Sequence, residues 1–106
     1  MWRSGGKEMM TIDEYGEWAA KTAKVSMPAT AERLAYLGLG LTGESGEVAD
    51  LIKKLLRDQT LDYAALIDEL GDVVYYWACL CAASGKKPSD VLAASRLKVD
   101  RNIPAS

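Results

Sequence analysis

Leu34, Leu41, Val48 and Leu55 recur every seven residues, and Leu37, Leu51 and Ile52 fill the turns between them. A seven-residue period is close to two turns of α-helix, so these side chains form one stripe along a single long helix. A half-buried strand would need alternation of period two, and no segment of the chain alternates. The spacing therefore predicts an all-α fold. The length of 106 residues holds one domain of this kind and not two. Half the chain (49%) is apolar, enough for a core. No run reaches the ~18 uninterrupted apolar residues of a membrane span.

The helix boundaries are written in local chemistry. Residues 1–10 have linker composition around Arg3-Ser4-Gly5-Gly6 and read as a flexible leader. Thr11 and Glu14 form a Thr-x-x-Glu capping box, which starts a first helix. Ile12, Tyr15, Trp18, Ala19 and Thr22 then recur at helical spacing, to about Lys24, and Met27-Pro28 breaks the run. The long helix begins near Thr30 and ends at the short loop Asp58-Gln59-Thr60. A third helix starts near Leu61 or Asp62, with Leu66, Leu70, Val73, Trp77 and Leu80 as its core stripe and Gly85 as its C-terminal cap. Pro88-Ser89-Asp90 opens a fourth, with Val91, Leu92, Ala94 and Leu97 on its apolar side, and Asn102-Ile103-Pro104 closes it. The expectation is a single-domain, four-helix bundle-like fold over 11–103, with 104–106 as a tail.

Gly38-Leu39-Gly40-Leu41-Thr42-Gly43 spells the G-x-G-x-x-G of dinucleotide-binding folds. That fingerprint works only between a buried strand and a helix start, inside a βαβ unit. Here it lies inside a helical repeat, so a Rossmann reading is rejected. Each mid-helix glycine costs about 1 kcal/mol relative to Ala. The glycines at 38, 40, 43 and 46 are therefore expected to make room for an adjacent helix backbone or a ligand.

The chain has no histidine. That removes Ser-His-Asp and Cys-His catalysis, histidine-ligated zinc and the Glu-x-x-His motif of di-iron bundles. Cys79 and Cys81 are two apart, on different sides of a helix, and suit neither a disulfide nor a CxxC site. They are expected as reduced, buried thiols of a cytoplasmic protein. Lys+Arg 13 against Asp+Glu 15 gives a net charge of −2, which argues against binding a nucleic-acid polymer.

Carboxylates must then carry the chemistry. Glu44 and Glu47 are three apart on the second helix, and Glu69 and Asp72 are three apart on the third. That spacing puts both acids of a pair on one helix face. Glu44 stands where the seven-residue stripe would carry an apolar side chain, and Glu69 and Asp72 share a stripe with Ala65, Tyr76 and Cys79. Four acids facing one another across a helical hairpin repel strongly unless a divalent cation sits between them. Oxygen donors without histidine or thiolate point to Mg²⁺ or Mn²⁺, held by Glu44, Glu47, Glu69 and Asp72.

These residues resemble a known family. Gly43-Glu44-Ser45-Gly46-Glu47-Val48, then Lys53-Lys54, then Asp68-Glu69-Leu70-Gly71-Asp72-Val73, are similar to the E-x-x-E…E-x-x-D magnesium motif of the MazG-like nucleotide pyrophosphohydrolases, an all-α group. The resemblance extends over residues 11 to 102, with Tyr15, Thr22, Leu37-Gly38-Leu39, Tyr76 and Lys98 as flanking matches. On the last helix, relatives often carry an Asn, a Lys three later and an Arg four beyond that. Ser95, Lys98 and Asn102 occupy those places here, with Arg101 one position early, so phosphate contacts carry over only to Lys98.

The resemblance implies Mg²⁺-dependent hydrolysis of a (deoxy)nucleoside triphosphate between the α and β phosphates, giving the monophosphate and pyrophosphate. Glu44 and Glu47 would be the catalytic carboxylates, with Glu44 as general base. Lys54 either meets the outgoing pyrophosphate or pairs with Asp50 one turn before it. Lys98 is a second phosphate candidate or part of a solvated face. Trp18 and Tyr76 either stack on the base or pack as core, and Trp77 is the better core residue. The resemblance also implies a homodimer or homotetramer. The alternatives are the sibling activity of phosphoribosyl-ATP pyrophosphohydrolase, and a non-catalytic helical module that binds a nucleotide or a protein.

Overall fold

The computed structural model describes residues 10–23 and 31–104. It is all-helical over them: α1 (Ile12–Thr22), α2 (Ala31–Asp58), α3 (Tyr63–Ala83) and α4 (Pro88–Asn102). Residues 1–9 of the leader and the Met27-Pro28 break lie outside the described residues, as do Lys24 and Thr30. The Gly38–Gly43 segment is continuous helix inside α2, and there is no strand among the described residues for it to follow. Among the described residues no helix is long and apolar enough to cross a membrane.

The ends are set by side-chain caps and one glycine. The Thr11 amide donates to Glu14 Oε1 at 2.7 Å, and the Glu14 amide donates to Thr11 Oγ at 3.0 Å, which closes the capping box of α1. Asp62 caps α3 by accepting from the Ala65 amide at 3.0 Å. Gly85, at φ 72°, ends α3 in the left-handed region. Its amide donates to the Ala82 carbonyl at 3.0 Å, and the Lys86 amide donates to the Cys81 carbonyl at 2.9 Å, the paired bonds of a Schellman motif. The cap of α4 comes from another helix. Lys87, at its N-cap, makes no side-chain cap bond. Asp13 of α1 instead accepts from the Ser89 amide at 2.9 Å and from the Ser89 hydroxyl at 2.6 Å.

The helix α3 is the centre of the molecule. It packs against α1, α2 and α4, and α1 also packs on α4, while among the described residues the backbone of α2 packs closely only on α3. The layout is therefore an open hairpin, α2 against α3, with α1 and α4 gathered at one end, rather than a bundle closed within one chain. The core lies where α1, α2 and α3 meet and is built of small side chains: Ala19, Leu37, Ala78 and Cys79 are buried, with Tyr15, Ala23, Tyr75, Tyr76, Trp77 and Leu80 packed around them. Both cysteines are buried and free.

Two sequence expectations need correcting. Leu34, Ile52, Leu70, Leu92 and Leu97 belong to the expected apolar faces, yet all are exposed. Among the described residues few neighbours are placed to cover them, because the backbone of α2 packs closely only on α3, and α4 packs only on α1 and α3. The glycine expectation also narrows. A Cβ added at Gly38, Gly43, Gly46 or Gly71 would meet nothing within 4 Å. Close approach is real at Gly40, whose space is filled by Tyr76, and at Gly16, where a Cβ would lie 2.7 Å from Cγ of Pro88.

Candidate active site

The antiparallel pairing of α2 and α3 brings Glu44 opposite Glu69 and Asp72. One carboxylate oxygen from each of these three lies within 4.8 Å of the others. Glu44 and Glu69 are half-buried, and Asp72 is exposed. A hydrogen bond with Glu44 pushes the Glu69 carboxyl above its ordinary value. Partial burial adds to this, as do the charges of Glu44, Glu47 and Asp72.

Glu47 is exposed and stands outside the three-oxygen group, although its charge reaches Glu69. The donor set is hard oxygen throughout. Cys79, the nearest thiol type in the hairpin, is buried, and burial pushes its thiol up and keeps it neutral. Convergent oxygens and a concentration of negative charge together suit a hard divalent cation.

The other sequence candidates are placed as follows. Lys54 Nζ pairs with Asp50 Oδ2 at 3.2 Å, one turn back on α2. Lys98 is exposed on α4, a helix that does not touch α2. Trp18 is 49% exposed and sits in an aromatic row, its ring centroid 5.4 Å from Tyr15 and 5.9 Å, edge-on, from Tyr75. Tyr75 in turn stands edge-on to Tyr76 at 5.6 Å. Burial, and then the negative charge around it, Glu44 included, pushes the Tyr76 phenol up. Trp77 is half-buried in the wall of the core.

Sequence reasoning missed the partners of these groups. Tyr75 hydrogen-bonds Thr22 at 3.0 Å across the α1–α3 contact, and Tyr76 lies on Gly40. The aromatic spacing on each helix was visible, but the contact between helices was not.

A family profile for the MazG nucleotide pyrophosphohydrolase domain matches residues 30–104, which contain both acid pairs. The chain belongs to that family. The match takes in α2, α3 and α4 but begins after α1. The Gene 37 protein of Mycobacterium phage L5 is 44% identical over 54 residues, which is 46% of this chain and 47% of that protein. The similarity thus spans about half the length of that relative, whose name states no activity. No solved structure matches the chain.

Proposed function

We propose that the protein is a Mg²⁺-dependent nucleoside triphosphate pyrophosphohydrolase that acts on (deoxy)nucleotides in a housecleaning role. The observation that carries this reading is the meeting of three carboxylate oxygens from two helices within 4.8 Å, in a chain of the MazG family. Glu44, Glu69 and Asp72 hold the cation, with Glu47 at the edge of the set. When bound, Mg²⁺ (or Mn²⁺) supplies polarisation of the phosphate oxygens and a lowered pKa for a bound water.

The residues do the rest. The oxygen of a water bonds to the α-phosphorus, and the bond from that phosphorus to the bridging oxygen breaks. Pyrophosphate leaves with the electron pair, and the water's proton passes to a carboxylate. Glu47 suits that base role better than Glu44, because it stands outside the three converging oxygens that would hold the cation. Lys54 exchanges Asp50 for the departing phosphates, Lys98 contributes charge from α4, and the exposed face of Trp18 offers a surface for a base, with Tyr76 beside the acids.

The active form is a homodimer or higher homo-oligomer. At about 100° per residue, Ile52 and Leu56 share one side of α2, and Tyr63, Ile67, Leu70 and Val74 share one side of α3. Glu47 and Asp72 turn to the opposite side of their own helices. The six apolar side chains are all exposed and together offer a face to a second copy.

The test is pyrophosphate release from a panel of canonical and modified dNTPs and phosphoribosyl-ATP, with and without Mg²⁺. Turnover on at least one triphosphate that needs Mg²⁺ and falls at least ~100-fold in Glu47→Gln is the expected result. Folded protein inert on the whole panel would overturn the reading.

A further inference from the structure

Gly40 is one turn before Glu44 on α2, and Tyr76 is one turn after Asp72 on α3. In an antiparallel pair, whatever places Tyr76 on Gly40 also places Glu44 opposite Asp72. The contact is tight. A Cβ at Gly40 would overlap Cε1 of the Tyr76 ring and lie 2.6 Å from Cδ1 and 2.7 Å from Cζ, whereas Gly38, Gly43 and Gly46 on the same helix have nothing within 4 Å. Only at Gly40, then, does α2 use a glycine to admit a side chain of α3.

The ring has little freedom to yield. Tyr75 stands edge-on against it at 5.6 Å. Tyr75 is itself held by Trp18 at 5.9 Å and by a 3.0 Å hydrogen bond to Thr22, both on α1. Through Tyr75, α1 thus backs the ring that seats on α2.

We propose that Tyr76 seated on Gly40 is a positioning pair: it fixes the register of α2 on α3 and thereby the convergence of Glu44 with Glu69 and Asp72. The metal half of this inference rests on the proposed function, and the register half does not. A slip by one residue moves α2 by about 1.5 Å along its axis and rotates the facing side chains by about 100°, enough to take Glu44 out of the cluster.

Two readouts on folded full-length protein test it. The first is Mg²⁺ affinity by calorimetry, with circular dichroism to confirm helicity. Gly40→Ala should retain its helices but bind Mg²⁺ at least ~10-fold more weakly, a loss of about 1.4 kcal/mol. Adding Tyr76→Leu, which removes the ring, should bring affinity back to within ~3-fold of the natural chain. Gly38→Ala should change nothing. The second readout needs no metal. Leu51→Cys with Ala65→Cys, a pair that extends along both helices the register of Gly40 with Tyr76 and Glu44 with Asp72, should oxidise to an intrachain disulfide located by peptide mapping. Gly40→Ala should suppress that disulfide and Tyr76→Leu restore it.

Unchanged crosslinking in Gly40→Ala, or no rescue by Tyr76→Leu, overturns the positioning role. Crosslinking that behaves as expected in a protein that never binds Mg²⁺ upholds the register and overturns the metal reading alone.

Discussion

Gln59 terminates α2 at φ 64°, the one positive φ on a non-glycine among the described residues. Its amide reaches back to the Leu55 carbonyl at 2.8 Å, so the left-handed turn closes the helix. A side chain in that region costs about 1–2 kcal/mol, offset in glycine by its greater unfolded-state freedom. Gln59→Gly should therefore raise stability by about 0.5–1 kcal/mol in a urea titration. Asp13 makes the opposite kind of contribution. Its hydrogen bonds from the Ser89 hydroxyl and amide hold its carboxyl below the ordinary carboxylate value. A depressed acid stabilises the fold above its ordinary value, and that contribution is lost as pH falls through the depressed one. Asp13→Ala should lower Tm at pH 7, and the gap from the natural chain should narrow as pH is taken below the carboxylate range. A gap independent of pH would show that Asp13 acts through packing alone. Thr11-x-x-Glu14 and Gly85 were legible in sequence because a cap is a local contact; the Asp13–Ser89 bond joins residues 76 apart and carries no local signature.

At the scale of the element, the α2–α3 hairpin carries both the site and a conflict within it. Three acids share one small volume, and Glu69 is pushed up by its neighbours. Glu69→Gln removes one like charge, so it should raise the Tm of the metal-free protein while abolishing the rise that Mg²⁺ brings. In the natural chain, Mg²⁺ at ten times its Kd should stabilise by about 1.4 kcal/mol. A Tm indifferent to Mg²⁺ in both proteins would leave the cluster as surface acids. The pairing of Glu44 with Glu47, and of Glu69 with Asp72, was readable from i,i+3 spacing. That Glu47 stands apart from the other three was not, because it depends on how far α2 is rotated about its own axis.

For the whole molecule, the decisive feature is how much apolar side chain a single chain leaves uncovered. Ile67 is 67% exposed and Leu56 76%. They belong to the face proposed for a second copy. Ile67→Glu should convert the assembly to monomer in sedimentation and should do so without loss of helicity. If the natural chain sediments as a monomer, the proposed face has no partner of its own kind. The same openness explains why Leu34, Leu70, Leu92 and Leu97 read as core in sequence and stand in solvent in the fold. An amphipathic period reports that a face needs covering and says nothing about whether the cover comes from the same chain.

The amino-acid sequence alone determined the helices and their ends, the absence of histidine chemistry and the two acid pairs, because each is set by contacts within a few residues. Tertiary structure alone decided which acids converge, that Asp13 caps α4 and that Tyr76 occupies the space above Gly40. Each of these depends on the rotation and register of one helix against another, a rigid-body relation that no local pattern encodes.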